Sequence, residues 1–266
     1  MFSPVKYFFP AAAIIFFTTF FIGCHQPAHV TGVDVQYTVM DKNSMQFDSL
    51  TDAMILPYKD SLDKLMNVVI GHSDVEMPKE NGKTETLLGN FVSDLCLEEI
   101  KRIPVPETTT VVNRMPLICL FNNGGLRSSL PKGDLTRGNI FELMPFDNEL
   151  DVVQISGKQM WNLLKFVAMS GGEPMSGLKI GVKPDKTPGD VLINGMPFDS
   201  TKDYNVITSD YLANGGDKMD FFKNPMAINA TGIKIRDAIL AYCEEQRELG
   251  NTLTSKLDGR FYYETK

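Results

Sequence analysis

The chain has 266 residues, 43% of them hydrophobic and 22% charged, with a formal net charge of −7. That length is enough for one large domain or two small ones with a real core, and the composition is ordinary for a globular protein. The acidic balance disfavours a nucleic-acid partner, whose phosphate backbone the overall field repels, while a small anion held by a few local cations remains compatible.

The first 24 residues read as a targeting segment that takes no part in the fold. Lys6 gives a positive start, residues 7–22 are almost unbroken apolar, and Phe21-Ile22-Gly23-Cys24 follows. This ending resembles a bacterial lipobox, which makes 1–23 a lipoprotein signal peptide and Cys24 the lipidated new N-terminus. An uncleaved signal anchor is the competing reading, because the apolar run approaches transmembrane length. A cysteine directly after Gly23 favours the lipoprotein. His25 stands where an aspartate would retain the protein at the inner membrane. The expected location is therefore the bacterial cell envelope, lipid-anchored in the outer membrane and facing the periplasm, with surface exposure as the alternative. Residues 24–47 read as a tether with a short strand at 33–37. Beyond Cys24 stand Cys96, Cys119 and Cys243, an odd number with apolar neighbours and no C-x-x-C spacing. Buried free thiols are expected, with one disulfide as the alternative.

In chain order, Met54, Ile55, Tyr58, Leu62, Leu65, Met66 and Val69 form a near-helical stripe over 51–70, with Pro57 at a first turn or kink. Residues 72–81 read as a polar loop. Residues 84–102 are the clearest helix, with Leu87, Leu88, Phe91, Val92, Leu95, Cys96 and Ile100 on one face and Pro104 and Pro106 beyond it. A buried strand is expected over 115–121, a short helix over 139–143 halted by Pro145, a strand over 150–155 and a helix over 158–169. Period-two patterning then predicts strands at 178–182, 191–193 and 204–208, with turns at Pro188-Gly189 and Asn194-Gly195. Thr231 caps a final helix running to about 249, and 260–263 reads as a closing strand. No internal repeat or second linker is visible. The fold class is α/β in the broad sense, α+β with mixed sheets and flanking helices, as one domain over 48–266.

Two glycine turns close apolar runs, Asn122-Asn123-Gly124-Gly125 and Asn214-Gly215-Gly216-Asp217. Each alone is an ordinary turn sequence, because asparagine and glycine tolerate positive φ. Neither is a Walker loop or an opening G-x-G-x-x-G. In order, however, NNGGLR at 122–127, GDLTRGNIFELMPFDNEL at 133–150, the Ser156-Gly157-Lys158 helix start and YNVITSDYLANGGDKMDFF at 204–222 resemble the C-terminal, substrate-binding domain of bacterial and animal 5′-nucleotidases. The resemblance spans about residues 48–264, including the helix with Leu88-Gly89-Asn90.

The resemblance implies a nucleoside or nucleotide ligand. Phe146 and Tyr211 match the two aromatics that stack on the faces of the base, the second being phenylalanine in the family's usual form. Asp217 matches the carboxylate that accepts from the ribose hydroxyls, and Asn122 the asparagine near base and sugar. Arg127 matches the arginine facing ribose or phosphate, with a surface ion pair to Asp134 as its bland alternative. Two departures stand out. Asn123 replaces the first glycine of the family's triplet, and a further arginine expected just upstream of Leu88-Gly89-Asn90 is not present, only Lys83 standing there. Phosphate affinity is then weaker, or specificity has moved towards a nucleoside-like ligand.

The family's chemistry resides in a separate two-metal phosphatase domain. Such a centre needs several histidines and carboxylates, whereas this chain has 3 histidines, His25 and His29 in the tether and His72 alone. No G-x-S-x-G elbow or serine–histidine pairing stands in for it. The expectation is no catalytic residue, metal or cofactor in this chain. It reads as the substrate-binding half of a split 5′-nucleotidase-type hydrolase, with two divalent metals in a separately encoded metallophosphatase partner. A stand-alone nucleotide- or nucleoside-binding lipoprotein is the alternative.

Overall fold

The computed structural model describes residues 35–37, 48–80, 82–102 and 115–265. The expected signal peptide over 1–23, Cys24 and most of the expected tether lie outside the described residues. So do Pro104 and Pro106. Residues 35–37 carry no regular structure, so no strand is present in the described part of 33–37. Residues 1–52 and 53–266 form two separate contact units.

Helix α1 (Ser49–Met66) opens on an aspartate cap, with the Leu50 and Thr51 amides donating to Asp48 Oδ1 at 3.0 and 3.2 Å. Pro57 sits inside the helix, not in its first turn, and none of the stripe residues is buried. The polar loop expected at 72–81 begins instead as a strand. β1 (Val69–Ser73) pairs antiparallel with β3 (Gly133–Thr136), placing His72 opposite Asp134. Helix α2 (Leu87–Arg102) buries Leu88, Phe91, Val92, Leu95, Cys96 and Ile100 as its periodicity predicts.

The centre of the fold is a five-stranded sheet in the order β10 (Ala227–Lys234), β4 (Glu149–Ile155), β9 (Tyr204–Ser209), β2 (Leu117–Leu120) and β5 (Met175–Ser176). β2 and β9 run parallel; the other neighbours are antiparallel. Successive side chains alternate between faces, and both faces are covered. Cys119, Leu150, Val152 and Ile207 join one core with α2 and the C-terminal helix α6 (Ile235–Glu248). Ile118, Leu120, Val153, Ile155 and Val206 join a second core with helix α4 (Gly157–Ser170). That second core also takes up a four-stranded sheet ordered β11 (Phe261–Tyr263), β6 (Leu178–Val182), β7 (Pro188–Ile193) and β8 (Met196–Pro197). The expected mixed α/β fold is what the chain adopts.

Two local expectations fail for identifiable reasons. Pro188-Gly189 lies in β7, because the chain reverses earlier: the Lys183 amide donates to Thr187 O at 2.9 Å and Lys186 takes positive φ. Thr231 caps no helix. It belongs to β10, where its hydroxyl donates to Leu150 O at 2.7 Å, and α6 starts only after Lys234. The Asn194-Gly195 turn forms as expected, both residues at positive φ. Short helix α3 (Arg137–Leu143) starts at a capping box between Thr136 and Asn139.

Cys96, Cys119 and Cys243 are free and buried, and burial drives all three thiols upward, Cys243 to about 12. Arg260 staples the two cores. Its buried guanidinium donates to both Asp94 oxygens on α2 at 2.9 and 3.0 Å, to Asp258 at 2.9 and 2.8 Å and to Met175 O at 2.6 Å. Arg260→Ala is expected to destabilise the fold by about 2–4 kcal/mol, because it strands a carbonyl, the partly exposed Asp94 and Asp258 carboxylates and, at 3.9 Å, the buried Glu85 side chain, whose own amide donors limit the loss. Urea denaturation of the two proteins measures it.

Candidate functional site

The central sheet decides where the chemistry-bearing segments emerge. β2 and β9 are parallel neighbours, with Ile118 opposite Val206 and Cys119 opposite Ile207. Their C-terminal ends therefore release the Asn122–Gly125 turn and the Tyr211–Asp217 segment at one edge. β4 runs antiparallel to β9, with Leu150 opposite Ser209, so the Pro145–Asn148 loop that precedes it arrives at the same edge. Together they wall a cleft of about 350 Å³ lined by Asn122, Arg127, Phe146, Tyr211 and Asp217. That volume falls in the range of small-molecule sites, roughly 300–1,000 Å³.

Phe146 is 43% exposed and Tyr211 50%, so both rings face the opening instead of filling a core. Short helix α5 (Asp210–Ala213), capped by the Ser209 hydroxyl on the Leu212 amide at 3.1 Å, presents Tyr211. Gly216 is required there: a Cβ would sit 2.5 Å from the Tyr211 ring. The next residue, Asp217, holds φ 49° and ψ 32°, a left-handed conformation that aspartate tolerates better than most residues. This bend aims its carboxylate at both neighbours. Tyr211 Oη donates to Asp217 Oδ1 at 2.9 Å, and Asn122 Nδ2 donates to Asp217 Oδ2.

Arg127 forms no ion pair with Asp134, which instead bonds His72 Nδ1 at 2.9 Å. It donates from Nη1 to Gly124 O at 3.2 Å and lies over the Phe146 ring at 5.7 Å, leaving its charge for the cleft. Among the described residues no group of three or more histidine, cysteine, aspartate or glutamate side chains is placed to hold a metal ion.

The sequence of residues 69–224 matches the model of the family described as "5′-nucleotidase, C-terminal domain". The chain belongs to that family. It is 28% identical over 221 residues to the trifunctional nucleotide phosphoesterase protein YfkN of Bacillus subtilis, covering 76% of this chain and 14% of that protein. Against protein UshA of Escherichia coli it is 28% identical over 134 residues, 49% of this chain and 24% of the relative. Among solved structures, the 5′-nucleotidase precursor from Thermus thermophilus superposes with a TM-score of 0.67 at 24% identity, over 82% of this chain and 43% of that one. The chain thus spans a minor part of the relatives it matches.

Two residues that shape this 5′-nucleotidase C-terminal domain escaped the sequence reading. Glu173, on the segment after α4, accepts from the Asn123 amide at 2.8 Å and from Asn123 Nδ2 at 3.0 Å. Burial, reinforced by Asp217, raises its carboxyl to about 6 despite those bonds. Arg236, on α6, reaches the opposite wall. It donates to Met144 O at 3.4 Å, to Phe146 O at 3.3 Å and to Asp147 Oδ1, and it packs over the Phe141 ring at 4.5 Å. Hydrogen bonds from Arg236 and then Lys234, reinforced by their charges, hold the Asp147 carboxyl below its usual range. A lone arginine in a helix carries no signal of such a role.

Arg236→Met removes the donors that fix the Phe146 backbone while keeping the bulk over Phe141. Hydrogen bonds from a charged donor are worth about 1.5–3 kcal/mol. Exchange of the Ile235 amide, bonded to Asn148 O at 2.9 Å, should therefore accelerate by about tenfold or more, read by native-state hydrogen exchange.

Proposed function

We propose that this domain holds the nucleoside part of a nucleotide between Phe146 and Tyr211, as the substrate-binding half of a 5′-nucleotidase-type hydrolase. The observation that carries the reading is the convergence of two exposed rings, a carboxylate, an amide and an unpaired guanidinium on one open cleft. Stacking on both faces of a base supplies affinity without reading its identity. Asp217 accepts from the ribose hydroxyls, Asn122 donates to and accepts from the base or sugar, and Arg127 faces the phosphate.

Hydrolysis is assigned to a separately encoded metallophosphatase that contributes two divalent metals; no step of that chemistry is assigned to residues of this chain. The proposed setting is the bacterial cell envelope, with the chain lipid-anchored through Cys24. A second reading, capture of nucleotides or nucleosides by this chain alone, is favoured by one feature: Asn122, Arg127, Phe146, Tyr211 and Asp217 stand together on one cleft of this chain.

Mixing the full chain with a metallophosphatase encoded beside it and following phosphate release from AMP tests the split hydrolase. Stimulation together with a complex on size exclusion supports it; absence of both leaves the capture reading. Under either reading Phe146→Ala and Tyr211→Ala each weaken ligand binding by about 1–3 kcal/mol, roughly five- to 150-fold, by calorimetry with adenosine and AMP.

A further inference from the structure

The Asn122–Gly125 turn is strung between two carboxylates. On its cleft side Asn122 donates to Asp217. On its far side the next residue, Asn123, gives both its backbone amide and its side-chain amide to Glu173 Oε2 at 2.8 and 3.0 Å. Asn123 Nδ2 also donates to Gly172 O at 3.1 Å. The segment carrying Glu173 is itself immobilised. Gly172, at φ 110°, packs so closely that a Cβ would stand 2.0 Å from Thr84 O, and the Phe121 amide donates to Pro174 O at 2.9 Å. Glu173 therefore acts on the turn from a fixed base.

We propose that Glu173 is a positioning residue for the nucleoside cleft: its carboxylate fixes the Asn122-bearing turn through both Asn123 donors, so ligand affinity depends on the ionised state of Glu173. This rests on the reading of the cleft given above. The anion is the better acceptor, because hydrogen bonds to an ionised group are shorter and about twice as strong. Protonation leaves both Asn123 donors on a neutral carboxyl oxygen, a weaker acceptor than the anion.

Besides the Asn123 donors, only the Ser170 side chain favours the charged form of Glu173 among the described residues, and no cation pairs with it. Asp217 and Lys218 face Glu173 across an open recess, and Lys83, Glu85 and Arg260 face it from the side of α2. Arg260 is engaged by Asp94 and Asp258, and neither lysine pairs with Glu173 among the described residues. With its carboxyl raised to about 6, chiefly by burial, ionisation falls within an accessible pH range. The two consequences have opposite signs. A raised carboxyl contributes stability that is fully present below its unfolded value near 4.5 and is lost as pH rises through about 6. Ligand affinity rises over the same interval, because the latch closes.

Calorimetry of adenosine binding to the full chain at pH 5.0 and 7.5 tests this, with Glu173→Gln and Phe146→Ala alongside. Adenosine carries no phosphate to titrate in that range. Wild type should bind about tenfold tighter at pH 7.5 than at 5.0. Glu173→Gln should bind more weakly than wild type at pH 7.5 and show no pH dependence, while its melting temperature at pH 7.5 is no lower, which separates positioning from folding. Binding abolished by Phe146→Ala yet equal in wild type and Glu173→Gln at both pH values overturns the latch alone. No adenosine binding by wild type, or binding indifferent to Phe146→Ala, overturns the reading of the cleft and the latch with it.

Discussion

The position of β9, parallel to β2 on one side and antiparallel to β4 on the other, is the constraint from which the site follows. Parallel pairing sends the ends of β2 and β9 out at one edge, and antiparallel pairing brings the start of β4 to the same edge. Three segments separated by up to ninety-five residues, as Asn122 and Asp217 are, thus meet without any of them needing to be long. The sheet can hold this arrangement because both faces are buried, with α2 and α6 on one and α4 on the other. A one-residue slip of β9 would turn Val206 and Ile207 to the wrong cores. Register and site geometry are therefore protected by the same burial.

Two buried guanidinium groups then stiffen what the sheet has placed. Arg260 ties α2 to β5 and the C-terminal segment, while Arg236 takes the carbonyls behind Phe146. Arg236 satisfies carbonyls of the irregular segment 144–146 and Arg260 a carbonyl of the edge strand β5, as buried backbone acceptors require. The two carboxylates that flank the Asn122–Gly125 turn are treated differently. Asp217 is bonded by a hydroxyl and an amide in the open, while Glu173 is partly buried with amide donors but no cation. Desolvation rather than charge pairing dominates Glu173, which is why its carboxyl moves up and not down.

The elements with strong periodicity were legible in the sequence: α2, α4, β6 and the core of β9 follow directly from where apolar residues recur. The five cleft residues were legible only through ordered motifs, since Phe146 after a proline looks like any core residue after a turn. What remained hidden has a common physical cause. β10 alternates weakly and ends in a bulge between Ala230 and Lys234, so Thr231 with its hydroxyl reads as a helix cap when it is bonded across the sheet to Leu150. His72 reads as loop because its strand partner lies more than sixty residues away. Arg236 and Glu173 act through contacts, several of them to main-chain atoms, with residues 50 to 92 positions away, and such contacts leave no spacing pattern in either partner.

Under the proposed nucleoside reading, Tyr211, where the resemblance in sequence leads one to expect phenylalanine, acquires a meaning from the same geometry. A phenylalanine would offer only its face to a base, and Asp217 would be oriented by Asn122 alone. Tyr211 Oη instead donates to Asp217 while accepting from the Asp217 amide at 3.3 Å, so ring and carboxylate become one rigid unit. The carboxylate is not consumed by this, because its two oxygens offer about four acceptor directions and the two bonds described use one on each. A sugar hydroxyl can therefore add to Asp217 without displacing either partner. Fixing acceptor and stacking face before the ligand arrives lowers the ordering cost of binding, and this is the contribution a tyrosine makes here that an equally apolar ring would not.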